Sequence, residues 1–486
     1  MNFPNASLTS LIRAAVRGTL AISLAAPFLF VSGCVSPPHT ELQIKPVATE
    51  SVGLSSAAAP GIAKEWWREY GDPQFDALLA SALAQNPTLQ QMTARVRQAQ
   101  AQVQLTSGAL RPSVTLNGQE QYQRFSERYI IPPPFGGGHY WMGDVLTSLS
   151  WDLDLFGRQA ALIDEARASV DAARLDTEAA RLGMTVALSQ AYLDLNRATL
   201  LAEVAQASVT QRQKILEITR RRIGAGLDTN VELREAESAV PQAELARLQS
   251  EAARELAIHR LVAISGEGAS AYERIQRPTL NLQAALTIPE QLPADLLGRR
   301  PDVLAAKARI DATTAGRAAA KAAFYPNINL SAFAGFQAIG LDNLLTSPSR
   351  VYGAGPAISL PLFESTRLKS AFNAATAEED ASIASYNDVV VKAVQQVADQ
   401  LSLVKSSAGQ LEQAQASLQA AEEAYRLAQK RYEAGLSNYL SVLTTETQVL
   451  NARTTFVDVQ HSQAIARVSL LLATGGDFDP SANAIR

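Results

Sequence analysis

Counted in sevens, the apolar positions of this chain line up over two long stretches. Val390, Val397, Val404, Leu411, Leu418, Tyr425 and Tyr432 form one series, with Ala414, Ala421 and Ala428 three places further on. Leu188, Leu195, Ala202, Val209, Leu216 and Ile223 form the other. A strict seven-residue stripe predicts helices packed side by side in a coiled coil, and alanine in the seam lets the backbones approach. Neither stretch holds a proline, so long helices are expected from about Gln159 to Ile223 and from about Arg367 to Tyr432. At 1.5 Å per residue each is roughly 100 Å long, far beyond an ordinary globular helix.

The two series are one pattern written twice. Arg221-Arg222-Ile223-Gly224-Ala225-Gly226-Leu227 answers Lys430-Arg431-Tyr432-Glu433-Ala434-Gly435-Leu436 at an offset of 209, and Ala263-Ile264-Ser265-Gly266 answers Leu472-Ala473-Thr474-Gly475. Upstream, Leu110 to Leu116 answers Phe324 to Leu330, so the body is a tandem repeat. Shorter helices over about 88–110 and 229–264 would cover the first long helix end to end, and 301–324 with 438–473 would cover the second.

Where the first short helix hands over to the long one, the period changes from helical to two. Val114-Thr115-Leu116-Asn117-Gly118-Gln119 and Leu149-Ser150-Trp151-Asp152-Leu153 alternate apolar with polar or small residues, as half-wetted strands do. One strand pair is expected at about 112–123 and 141–156, the other at about 326–337 and 352–363, each joined by a Pro- or Gly-rich loop. The expected fold is mainly α with a small β portion, in two tandem repeats of helix, two strands, long helix and short helix. About ten residues cross a bilayer when a strand is tilted, but an open sheet edge cannot stand in lipid. Four strands do not close alone, since the smallest bacterial barrels have eight. Three copies give a shared 12-stranded transmembrane β-barrel wide enough for a water-filled lumen, topping a trimeric α-helical tunnel. A soluble β-layer capping a coiled coil is the competing reading.

The first residues belong to targeting. Arg13 and Arg17 precede an apolar run from Leu20 to Val31, shorter than the roughly 20 residues of a membrane-spanning helix. Val31-Ser32-Gly33-Cys34 closes it in the manner of a bacterial lipobox, so residues 1–33 are read as a signal peptide and Cys34 as the lipid attachment site. Cys34 is the only cysteine, which excludes a disulfide within one chain. Residues 34–62 are read as a tether, 63–288 as the first repeat and 289–486 as the second. The chain carries 43 basic and 47 acidic residues for a net charge of −4, the wrong balance for a nucleic-acid partner.

Several segments in fixed order carry a family likeness: Glu65-Trp66-Trp67-Arg68 with Gly71-Asp72-Pro73; Ala84-Gln85-Asn86-Pro87-Thr88-Leu89; Leu297-Gly298-Arg299-Arg300-Pro301-Asp302-Val303; Ala322-Ala323-Phe324-Tyr325-Pro326; and Arg431-Tyr432-Glu433-Ala434-Gly435. The chain resembles the TolC-like outer membrane efflux proteins, in their lipid-anchored OprM-like branch. That resemblance implies a homotrimer in the cell outer membrane with a large periplasmic part. It also implies a belt drawn partly from the chain between Gly266 and Leu297. As partners it implies a periplasmic adaptor protein, an inner-membrane transporter that is proton-driven, and outer membrane lipid. The duct would be passive and serve drugs or other small toxic compounds. A type I protein-secretion duct, a metal-export duct and a pore-less periplasmic scaffold lipoprotein remain open.

Two sites follow. The turns at Gly224 to Thr229 and Gly435 to Asn438 end the long helices, where glycine supplies a positive φ. In the family this periplasmic tip meets the adaptor, which marks Gly224, Gly226, Leu227, Gly435, Leu436 and Ser437 as docking residues. Leu440 and Thr444 match the family's periplasmic gate positions, with threonine where an acid is usual. Glu446 lies about 200° around the helix from Thr444 and cannot replace that acid. Arg220-Arg221-Arg222 reads as a helix-end charge set favourable to the dipole, with a gate lock as the alternative, and Glu378-Glu379-Asp380 as a solvated run. His39, His139, His259 and His461 have no metal spacing, and no phosphate loop is present, so neither catalysis nor a cofactor is expected beyond the lipid on Cys34.

Overall fold

The computed structural model describes residues 36–47, 62–128, 130–282 and 296–480. The signal segment, Cys34 and the boundary between repeats at 288–289 lie outside the described residues. The chain runs through α1 (Pro73–Gln85), α2 (Pro87–Gly108), β1 (Ser113–Arg124), β2 (His139–Asp152), α3 (Arg158–Gly224) and α4 (Asn230–Ser265). It continues with α5 (Pro301–Ala322), β3 (Asn327–Ile339), β4 (Arg350–Ser359), α6 (Ser365–Glu433) and α7 (Tyr439–Ala473). The two long helices have 67 and 69 residues, as the uninterrupted heptads require. Two compact units result: Met1–Lys45 with Gln98–Val170 and Ala308–Ala384, and Pro46–Arg97 with Asp171–Lys307 and Ser385–Arg486.

The first unit is built on one antiparallel sheet in the order β1-β2-β3-β4. Its middle pairing aligns Val145 with Phe336 and Trp151 with Leu330, so the hairpins of both repeats share one sheet. Two strand ends differ from the sequence expectation. β2 stops at Asp152 rather than near Phe156, because Asp154 turns at φ 45° and its carboxylate accepts the amides of Gln159 and Ala160 at 2.8 Å. That carboxylate caps the start of α3, so Leu153 and Leu155 alternate within a turn, not a strand. β4 ends at Ser359, before Pro361, whose missing N–H cannot extend a ladder. Under the sheet, Phe324 packs edge-to-face on Phe372 at 6.4 Å and joins Leu368 in a small core.

Residues 36–45, within the segment expected as a tether, are strapped to α6. Thr40 Oγ1 donates to Asn373 Oδ1 at 2.7 Å, and the amides of Gln43 and Ile44 both donate to Asp380 Oδ1 at 3.0 Å. Arg317 Nη2 holds the Thr40 carbonyl at 2.8 Å. The spacing has a geometric cause: seven helical residues rise about 10.5 Å, and three and a half residues of extended chain rise about 10.9 Å. Of the carboxylates of 378–380, Glu378 is exposed as expected, but Glu379 and Asp380 are not solvated. Glu379 is buried and accepts from Thr314 at 2.8 Å and from Arg317 at 3.4 Å, while Asp380 anchors the strap. Asp380→Ala removes a charged acceptor from two amides. Exchange of the Gln43 and Ile44 amide hydrogens is expected to quicken about tenfold, and an unchanged rate would show that Asp380 does not hold them.

In the second unit the heptad seams are the core. Leu188, Leu195, Val390 and Val397 are all essentially inaccessible, and each buried side chain of this size is worth about 2 kcal/mol. Val404, Leu411, Leu418, Leu216 and Ile223 are only half-buried, which leaves part of each stripe uncovered in a single chain. The Gly71-Asp72-Pro73 segment explains itself here. Gly71 turns at φ 67°, Asp72 accepts the amides of Gln74 and Phe75 as the α1 cap, and Pro73 sits at the first helical position where no donor is needed. Its other oxygen accepts from Tyr192 at 2.8 Å and from the Thr279 amide at 2.7 Å, while Phe75 stacks on Tyr192 at 4.8 Å. Arg300 of the Arg-Pro-Asp segment is likewise buried. It donates to the Ala473 carbonyl at 2.9 Å, a helix-end acceptor with no partner inside α7, and to Asp302 at 2.7 Å.

Candidate functional site

The sheet has two chemically different faces, which the strand register assigns residue by residue. Pairing puts Val114, Leu116 and Tyr122 of β1 on the same face as Leu149, Val145 and Trp141 of β2. Leu330 and Phe336 of β3, and then Tyr352 and Ile358 of β4, follow on that face. Tyr122 and Trp141 touch there, ring centres 5.2 Å apart, and Tyr352 and Leu116 are 83% and 71% exposed. The opposite face of β1 is Ser113, Thr115, Asn117, Gln119, Gln121 and Gln123, wholly polar. On β2 to β4 it carries mostly polar and small residues with a few apolar ones such as Leu146 and Phe333. Gly353 is required there, since a Cβ would meet the Phe333 ring at 2.8 Å. Strands of 10 to 14 residues have the length of a tilted bilayer crossing. No helix among the described residues is long and apolar enough to cross a membrane.

In the second unit the two turns have the same backbone. Leu227 N–H bonds to the Arg222 carbonyl and Gly226 N–H to Ile223 at 2.9 Å each; Leu436 bonds to Arg431 at 2.8 Å and Gly435 to Tyr432 at 3.0 Å. These are paired Schellman closures, with Gly226 at φ 72° and Gly435 at φ 77° supplying the left-handed residue. Gly224 differs from the sequence expectation, because it is the last residue of α3 and has no positive φ. Thr229 then caps α4 in a capping box with Glu232, and Asn438 caps α7 through the Ser441 amide at 3.1 Å.

The chemistry at the turns is not repeated. Arg222 is buried and holds Asp228 with Nε at 2.8 Å and Nη2 at 3.0 Å. Its third nitrogen donates to the Tyr432 carbonyl at 2.6 Å, and the guanidinium lies 4.3 Å from the Tyr432 ring centre. Tyr432 Oη donates to Asp228 at 2.6 Å and lies 2.9 Å from Thr219 Oγ1. The guanidinium beside it holds the Asp228 carboxyl below the usual carboxylate range, and burial pushes the Tyr432 phenol up to about 12. Arg222 is therefore a tie between the two turns rather than a solvated helix-end charge. At the repeat-related positions stand Arg431 and Ser437, so the second copy has the arginine without the acid. That break in the repeat is the sequence signal by which the tie could have been found.

Leu440 is 63% exposed, and Thr444, also exposed, donates back to the Leu440 carbonyl at 2.9 Å. Leu227 and Leu436 are exposed as well, while Ser437 is half-buried. Glu446 points into the bundle, where Arg212 reaches it at 3.2 Å and also donates to the Ala239 carbonyl at 3.0 Å. Burial raises the Glu446 carboxyl despite that partner. It is unavailable to the face of α7 that carries Leu440 and Thr444. Three of the histidines have structural contacts: His139 stacks on Tyr122, His259 lies against Tyr272, and His461 meets Asp194 at 2.9 Å.

A sheet with one apolar and one polar face, in one chain with heptad-packed helices whose turns are chemically tied, defines a subunit of a membrane channel with a helical conduit. The chain belongs to the outer membrane efflux protein family, whose profile matches residues 78–267 and 292–476. It is 34% identical over 372 residues to the fusaric acid resistance protein FusA of Burkholderia cepacia, covering 75% of this chain and 70% of that one. It is 28% identical over 395 residues to the multidrug resistance outer membrane protein MdtQ of Escherichia coli O157:H7, covering 78% and 82%. Among solved structures, the outer membrane protein VceC of Vibrio cholerae aligns with a TM-score of 0.79 at 29% identity, covering 86% of this chain and 100% of that one. The protein is thus an outer-membrane efflux channel protein, and its family is one of ducts rather than of enzymes.

Proposed function

We infer that three copies of this chain form a passive exit duct for drugs or other small toxic compounds in a tripartite pump, closed at the paired turns until its partners engage. The polar face of the sheet carries this reading. A β-layer laid on protein would bury its apolar face, but here large side chains of that face stand exposed, Leu116 at 71% and Tyr352 at 83%, opposite a polar row on β1 that is mostly exposed as well. In a ring of three sheets the apolar face meets lipid, the polar face lines water, and β1 and β4 pair across subunit seams so that no edge is left in the bilayer. Cys34, acylated, would add a second hold on the membrane, in keeping with the strap on α6 that leads back toward it. A periplasmic adaptor and a proton-driven inner-membrane transporter supply substrate and energy.

The exposed leucines at the turns favour a docking role. Leu227 and Leu436 occupy equivalent places just after the left-handed glycines and cover nothing within the chain, being 60% and 70% exposed. Leu227→Asp with Leu436→Asp is expected to abolish drug resistance in a deletion strain while heat-resistant trimers persist in outer-membrane fractions. Full resistance in that double variant would rule the turns out as the adaptor contact.

A further inference from the structure

We propose that Asp144, on the polar face of β2, makes the barrel lumen cation-selective and so favours exit of cations and cationic amphiphiles over anions of the same size. The inference rests on the duct reading above, which turns that face into the lumen. The register places only two charged side chains on the polar face of the four strands, Asp144 and Asp152, and no basic one. The charged residues of the apolar face, Glu120, Arg124 and Arg350, all lie in the half of the sheet nearest the hairpin loops.

The two aspartates are not equivalent. Asp152 accepts from the Asp154 amide at 2.9 Å and from Asn327 at 3.2 Å. It also lines a cavity of about 710 Å³ at the end of the sheet, where Arg158 and Arg367 stand among Asp154 and Glu364, so it is held by local hydrogen bonds in a mixed-charge surround rather than facing the middle of the polar row. Asp144 is half-buried between Gln119 on one side and Gln337 on the other, and forms no ion pair among the described residues. Leu440 and Thr444 are uncharged, so the gate positions add no selectivity of their own.

Ring geometry sets the size of the effect. Twelve strands about 4.8 Å apart and tilted about 40° give a backbone radius of about 12 Å, which brings three carboxylates to about 8 Å from the axis. That distance is shorter than the Debye length of about 10 Å at 0.1 M salt, so the ring acts across the whole lumen. Three unit charges at that range in water enrich cations about threefold and deplete anions similarly.

Purified full-length protein in planar bilayers under a KCl gradient tests this through the reversal potential. At 0.1 M salt, Asp144→Asn is expected to lower the potassium-to-chloride permeability ratio at least threefold, and Asp152→Asn to lower it less. Both differences should fade at 1 M. Gln119→Lys places a cation directly opposite Asp144 and should reproduce the loss without touching it, which decides the matter if Asp144→Asn does not assemble. An unchanged ratio in conducting Asp144→Asn or Gln119→Lys channels would overturn the assignment, as would a larger effect from Asp152→Asn. Absence of any conductance in the unmodified protein would instead remove the duct reading beneath it.

Discussion

Asp228→Ala is expected to raise the resting single-channel conductance severalfold while leaving trimers intact. The variant strips the counter-charge from Arg222, whose side chain is only 9% exposed, and takes one of two hydroxyl partners from Tyr432. Breaking a buried pair by removing one partner costs about 3 kcal/mol, since the remaining cation is left without compensation. The cheapest response is for the first turn to move until Arg222 reaches water, and that separates it from the Tyr432 carbonyl that it holds at 2.6 Å. Tyr432→Phe keeps the ion pair and loses only the hydroxyl bonds, worth about 1 kcal/mol each, so its conductance should lie between the two. Planar-bilayer recordings decide, and an assembled Asp228→Ala channel that conducts no more than the parent would show that the tie does not hold the gate. The pH dependence has a definite sign. Asp228 titrates below its ordinary value when folded, so the tie contributes fully above the unfolded value of about 3.9 and is lost only as the pH falls through the lowered one. Conductance should therefore stay level from neutrality down to about pH 5 and rise only in stronger acid.

What could be read from the sequence was whatever repeats at short range. Heptads fix the long helices because one seam position implies the next seven residues away, and alternation fixes strands for the same reason, as Val114 to Gln119 show. The 209-residue offset made both turns visible together. Strand ends were harder, because Leu153 and Leu155 continue the alternation of β2 while the Asp154 carboxylate has already capped α3. The tie shows in the sequence only as a run of arginines and a break in the repeat at Asp228 and Ser437, since Tyr432 meets its partners over gaps of 204 to 213 residues. On the same ground, Asp380 and Glu379 depart from the solvated run that their sequence predicts. A carboxylate run is usually solvated, and nothing local in 378–380 announces the amides of Gln43 and Ile44 or the Thr314 hydroxyl that meet it.

The barrel reading makes its sharpest demand on two neighbouring residues of β2. Val145 and Leu146 are adjacent and similar in character, yet the register sends Val145 to the face of Trp141 and Phe336 and Leu146 to the face of Asp144 and Asn117. Arginine at 145 would be held in hydrocarbon, at about 3 kcal/mol for a site near the bilayer midplane, and a threefold ring pays this at every seam-to-seam sheet. A total near 9 kcal/mol is comparable with the whole stability of a typical domain. Val145→Arg is thus expected to eliminate the heat-resistant trimer and its conductance. Leu146→Arg puts the same side chain into lumen water, where it can extend along the channel, and trimers should form at close to the parental level. It would also set a cation beside Asp144, so its potassium preference should drop as that of Gln119→Lys does. Equal tolerance of both arginines would mean that neither face meets lipid, and equal loss would mean that the polar face is packed against protein. Either result removes the ring of three sheets, because a closed cylinder with lipid outside and water inside must treat these consecutive residues differently.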